Sequence, residues 1–148
     1  MGYGLGASLG AKMGMPDKTV VNVAGDGCFR MNMNEIATAA RYNIPIIQVV
    51  VNNHVLGMVR QWQTLFYEKR YSATVLNDAV DFVKLAEAYG AKAMRITKVE
   101  DIEKGFQLAD TFKNGPTLLE FIIPTELNVL PMVPAGKSLS DMLLKDKK

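Results

Sequence analysis

The sequence is short of the features that would define most protein classes at sight. It has a single cysteine, which excludes a disulfide framework and a Cys-rich zinc site. It has no surplus of either charge: 17 Lys and Arg stand against 15 Asp and Glu, far from the basic excess expected of a nucleic-acid binder. It has no long apolar run. The longest, residues 44–51, contains Pro45 and Gln48 and is far short of the ~20 residues that cross a bilayer. Neither a membrane nor a nucleic acid is therefore expected as a partner. The opening MGYGLGASLG carries no basic n-region and no Arg-rich presequence, so a cytoplasmic location is expected. What remains is ordinary for a folded chain: 49% apolar and 22% charged residues over 148 positions, enough for one domain with a sizeable core.

No repeat or low-complexity segment interrupts the chain, and its elements alternate. Residues 3–14 are small and apolar, as in a tightly packed buried helix, which Met15-Pro16-Asp17 ends. TVVNVA (19–24) is β-branched and short, a buried strand. After a loop GDGCFRMN, the spacing of Met33, Ile36, Ala37 and Ala40 predicts a helix over 33–42. IIQVVV (46–51) is apolar on both faces and belongs inside a parallel sheet. A helix over 55–66, a polar loop over 67–79 and a helix over 81–89 stopped by Gly90 follow. Then come a strand near 92–96, a helix over 101–112 introduced by a Thr97 to Glu100 capping box, and a strand at 117–123. The last 25 residues hold three prolines and read as an extended arm with a lysine-rich tail. This alternation predicts an α/β fold, a parallel sheet with helices on both faces.

In such sheets ligands bind at the carboxyl ends of strands. Two ends stand out: Gly25-Asp26-Gly27-Cys28 and Asn52-Asn53-His54. The glycines allow a ligand close to the backbone, and a hard cation could bridge Asp26 and Asn53 to phosphate oxygens. Separately, GDG is a common turn and Asn-Asn a common loop. Lying 27 positions apart, they are separated by one strand–helix–strand unit, so they can be neighbours on one sheet edge.

GDG, 24 residues, then NN resembles the diphosphate-binding motif of thiamine-diphosphate enzymes. MGYG at 1–4, LGMVRQWQ at 56–63, LFY at 65–67 and VLPMVP at 129–134 further resemble the large catalytic subunit of acetolactate synthase, over essentially the whole chain but only about the last quarter of that subunit. The resemblance implies a thiamine-diphosphate-binding fold of the PP (diphosphate-binding) type over 1–127, starting inside the family's domain, and a C-terminal arm over 128–148. It implies Mg²⁺ held by Asp26, Asn53 and the main-chain oxygen of Val55, and a diphosphate held by Gly25, Gly27 and Cys28. Met1 would prop the bent cofactor, which Met31, Leu56, Gly57 and Met58 would line. Met58 and Trp62 would face the substrate channel. The implied activity is decarboxylation of pyruvate and condensation with a second pyruvate or with 2-ketobutyrate, for branched-chain amino-acid biosynthesis. None of the glutamates, Glu35, Glu68 and Glu120 included, matches the one that activates the cofactor. That residue is expected in the pyrimidine-binding domain of a partner subunit, so the chain alone is expected to be inactive. Homo-oligomerisation, a regulatory small subunit, and FAD in an anabolic full-length enzyme belong to the same implication.

Other interpretations stay open at this point. One is a part or subunit of another thiamine-diphosphate decarboxylase or carboligase, and another is a non-catalytic dimerisation module. Gly2-x-Gly4-x-x-Ala7 matches a dinucleotide fingerprint only superficially, because no strand precedes it. His54, the lone histidine, reads as a loop residue beside the metal site rather than a base, and Cys28 as a small neighbour of the site rather than a nucleophile.

Overall fold

The computed structural model describes residues 1–76 and 80–145. The ends of the expected 67–79 loop and of the lysine-rich tail fall outside them. The chain divides into two compact units, Met1–Asn53 with Asp78–Ile123, and His54–Asn77 with Pro124–Lys148.

The first unit is built on four parallel strands: β1 (Val21–Gly25), β2 (Ile47–Asn52), β3 (Lys92–Ile96) and β4 (Thr117–Ile122), in the order β1-β2-β4-β3. β2 and β4 are interior, which is why IQVVVN and TLLEFI carry so little solvent-facing character. One face of the sheet presents Val50 and Leu118 to a core shared with Leu5, Phe29, Ile36, Ala39, Phe82 and Ala86. These come from helices α1 (Tyr3–Gly14), α2 (Asp26–Phe29), α3 (Glu35–Arg41) and α5 (Phe82–Ala88). The other face packs Val49, Ile96 and Leu119 against α6 (Ile102–Thr111) through Ala109. Here α6 sits so close that a Cβ on Gly105 would lie 2.8 Å from the Ile96 Cδ1 atom. Helices thus lie on both faces, as the alternation predicts.

Four local expectations are corrected. TVVNVA forms β1, but as an edge strand it is not buried: Val21 and Val23 are 45% and 66% exposed. GDGCFRMN is not a plain loop: Asp26 opens the short helix α2, closed by the Arg30 N–H bonding to the Asp26 carbonyl at 3.1 Å. The helix at 3–14 is not buried throughout. Only Leu5 and Ser8 are, while Gly6, Gly10 and Gly14 have nothing near them. Small residues permit close packing but do not require it. The Thr97–Glu100 capping box is absent: a 3₁₀ turn, Val99–Asp101, leads into α6 with no side-chain cap. A cap does exist at α5, where Asp81 Oδ1 accepts the Val83 and Lys84 N–H groups at 3.1 and 3.2 Å.

The second unit contains α4 (Gly57–Phe66), an isolated antiparallel bridge between Val55 and Val75, and the C-terminal arm with one 3₁₀ turn, Leu139–Asp141.

Phe82 is fully buried, 5.5 Å edge-on from Phe29 and beneath the Arg30 guanidinium. Phe82→Ala is expected to destabilise the fold by about 3–5 kcal/mol in urea denaturation, while Val99→Ala, at an exposed position, leaves the midpoint within error. Equal effects would mean that the core is misassigned.

Candidate functional site

In the first unit, the β1–β2 register places Gly25 opposite Val51. The chain therefore leaves both strands at one edge, with Asp26 following β1 and Asn53 following β2. Asp26 is buried, 2% exposed, between two glycines. Even a Cβ on Gly25 would have its nearest neighbour 3.9 Å away, at the Val51 carbonyl, so the backbone there is open to a ligand. The paired carboxylate and carboxamide are both hard oxygen donors of the kind magnesium takes. Among the described residues no three His, Cys, Asp or Glu side chains cluster. A cation here would have to complete its shell with amide, backbone or ligand oxygens, which suits a metal shared with a diphosphate.

Cys28 accepts the Gly2 N–H on its sulfur at 3.2 Å, and Asn32 Nδ2 donates to the Gly2 carbonyl. Gly2 has φ +69°, and a Cβ there would lie 2.9 Å from the Met31 Cβ atom. Met1, 93% exposed, is thus carried on a backbone segment held by the turn after Asp26, beside Met31. Gly25, Asp26, Gly27, Cys28, Met31, Met1 and Asn53 all fall in this unit.

Behind Asn53 lies a polar chain that went unrecognised in the sequence. Glu120, in the middle of β4 and 2% exposed, accepts Asn52 Nδ2 on Oε1 and Arg95 Nε on Oε2, both at 2.7 Å. Arg95 Nη2 continues to Asp81 Oδ1 at 2.7 Å. On the same face, Asn22 donates to Gln48 at 2.7 Å. The available signal was a polar residue inside an otherwise apolar strand, and without the register its partner could not be named.

The second unit holds Val55, Leu56, Gly57, Met58 and Trp62. Val55 is buried and bridged to Val75, and the Leu56 N–H bonds to the Thr74 carbonyl at 2.8 Å. Met58 and Trp62, one helical turn apart on α4, line a cavity of about 740 Å³ with Val59, Gln63, Tyr67 and Arg70. On the same helix Gln61 is buried and clamps Val129 from both sides: its Oε1 accepts the Val129 N–H at 2.6 Å and its Nε2 donates to the Val129 carbonyl at 2.9 Å. Arg60 stacks 3.8 Å from the centre of the Tyr71 ring and pairs with Glu126 at 2.5 Å. MVRQWQ and VLPMVP are thus bonded to each other through Gln61.

Residues 1–121 match the model of the thiamine pyrophosphate enzyme C-terminal TPP-binding domain, and the chain belongs to that family. Within it, the chain is 48% identical over 146 residues to the acetolactate synthase large subunit of Corynebacterium glutamicum, covering 96% of this chain and 23% of that protein. It is 46% identical over 147 residues to the acetolactate synthase isozyme 2 large subunit of Escherichia coli K12, covering 98% of this chain and 26% of that one. Among solved structures, the thiamine diphosphate-dependent 4-hydroxybenzoylformate decarboxylase of Rhodococcus jostii RHA1 superposes with a TM-score of 0.78 at 29% identity, over 85% of this chain and 24% of that one. The chain spans about a quarter of the length of these relatives. No helix among the described residues is long and apolar enough to cross a membrane.

Two outcomes follow from this geometry. Asp81 is held below its usual carboxylate range by the backbone N–H bond at the α5 cap and by Arg95. Its stabilisation is therefore present above the ordinary value of 3.8 and lost as pH falls through the depressed folded value. Asp81→Asn should lower stability at pH 7 and flatten the acid loss, measured by denaturation at pH 7 and pH 3; parallel curves would disprove the coupling. Gln61→Leu leaves both Val129 backbone groups without their partner. Limited proteolysis should then cut residues 124–132 faster, whereas an unchanged rate would show that the arm is held by other contacts.

Proposed function

We propose that the chain is the C-terminal, thiamine-diphosphate-binding part of an acetolactate synthase catalytic subunit. That enzyme decarboxylates pyruvate and joins the two-carbon unit to a second pyruvate or to 2-ketobutyrate, in branched-chain amino-acid biosynthesis. The observation that carries this reading is the placement of Asp26 and Asn53 at the aligned ends of β1 and β2. Its support is the 48% and 46% identity to acetolactate synthase large subunits. A different thiamine-diphosphate decarboxylase is the second reading, favoured by the Rhodococcus neighbour but at only 29% identity.

The chemistry that thiamine diphosphate supplies when bound is an electron sink for decarboxylating a 2-keto acid. The residues of this chain bind and orient. By the family resemblance, Asp26 and Asn53 would hold Mg²⁺ by side-chain oxygens, with the main-chain oxygen of Val55 as a further ligand. Gly25, Gly27 and Cys28 would hold the diphosphate. Met1 would support the cofactor, which Met31, Leu56, Gly57 and Met58 would line. Met58 and Trp62 would face the substrate channel. The chain supplies no glutamate for the pyrimidine ring, which comes instead from the pyrimidine-binding domain of a partner subunit in a cytoplasmic homo-oligomer. FAD and a regulatory small subunit belong to the anabolic form of the complete enzyme.

The chain should bind thiamine diphosphate in calorimetry only when Mg²⁺ is present, and it should release no acetolactate from pyruvate. Asp26→Asn should weaken that binding by more than about tenfold, the loss that even an outer-shell change causes. Turnover by the purified chain would overturn the incomplete site, and an unchanged affinity in Asp26→Asn would overturn the metal assignment.

A further inference from the structure

Glu120 occupies an unlikely place for a carboxylate. β4 is flanked by strands on both sides, and the neighbouring positions on the same face, Val50 and Leu118, are fully buried and apolar. Replacing a buried charge pair by apolar residues of the same shape is often neutral or stabilising, so stability alone does not account for it. Both carboxylate oxygens are engaged at 2.7 Å, Oε1 by Asn52 and Oε2 by Arg95. Arg95 is anchored in turn on Asp81, the residue that caps α5. A line of bonds thus runs from the start of α5, across β3 and β4, to the last residue of β2. Asn52 is also fixed through its backbone, its carbonyl accepting the Ile123 N–H at 3.0 Å. Asn53 is the next residue, and at His54 the backbone already has φ +60° as the chain leaves the sheet. The Asn22–Gln48 pair, further back along the same face, does not reach that edge.

We propose that Glu120 is a positioning residue for Asn53: by gripping the Asn52 carboxamide from the neighbouring strand, it fixes where β2 ends and where the Asn53 carboxamide is presented. This rests on the reading of Asn53 as a magnesium ligand. Arg95 serves the same purpose one step back, holding the second oxygen so that the first stays aimed at Asn52.

The test uses the 148-residue chain with Glu120→Leu, Glu120→Gln and Asn52→Leu. Two quantities are read well below each variant's melting temperature: amide hydrogen exchange at residues 51–54, and magnesium-dependent affinity for thiamine diphosphate. Glu120→Leu and Asn52→Leu should speed exchange at 51–54 about tenfold and weaken affinity about tenfold, with exchange in α3 unchanged. Glu120→Gln has one oxygen for two donors, Asn52 and Arg95, and should recover both readouts only in part. A merely structural Glu120 would lower the melting temperature of all three variants and leave exchange at 51–54 and affinity at wild-type values, which overturns the proposal. If Glu120→Leu does not fold, Asn52→Leu, which keeps the Glu120–Arg95 pair, decides alone. If the unmodified chain binds no thiamine diphosphate, the magnesium reading fails, while the exchange rates still support or overturn the grip on β2.

Discussion

The parallel pairing of β1 with β2 is the constraint on which the first unit depends. Its register aligns Gly25 with Val51, so the residues that follow, Asp26 and Asn53, emerge at one edge although they are far apart in sequence. A register slip of one residue would move every side chain of β2 to the opposite face. The helices that fill one face through Phe29, Ile36 and Phe82 hold that register by burying Val50 and Leu118, and α6 holds the other face through Ile96 and Leu119. The core is what makes the two loop ends neighbours.

Polar groups are inserted into this core sparingly, and Gln48 and Glu120 are both bonded. Gln48 takes Asn22, and Glu120 takes Asn52 and Arg95. Buried polar groups of this kind are tolerated only when they are bonded, and they trade some of the freedom of an apolar core for a defined geometry. In the second unit Gln61 plays the corresponding part for the C-terminal arm, reading both backbone groups of Val129.

Much of the fold was legible because punctuation and periodicity agreed. Gly90 and Gly115-Pro116 bound β3 and β4, and the β-branched run at 46–51 could only be an interior strand. The GDG and NN ends were legible too, because a carboxylate between glycines and a carboxamide at a strand end are chemical signals independent of packing. The short helix at Asp26 was not, because a single turn closed by one backbone bond leaves no periodicity to read. In the sequence Glu120 reads only as a glutamate that does not match the cofactor-activating one. Its partners, Asn52 and Arg95, lie on different strands and become neighbours only once β4 is known to lie between β2 and β3. The glycines of α1 misled in the other direction: small residues suggested burial, but nothing in the described structure packs on Gly6 or Gly10.

The most direct measurement is the anomalous scattering of Mn²⁺, substituted for Mg²⁺, in crystals of the chain grown with thiamine diphosphate. A single strong peak is expected within roughly 2.5 Å, the reach of a hard cation to its oxygen ligands, of both the Asp26 carboxylate and the Asn53 carboxamide, with the diphosphate on its open side. A bound diphosphate with the metal peak away from these two residues would show that the ends of β1 and β2 do not form the cation site.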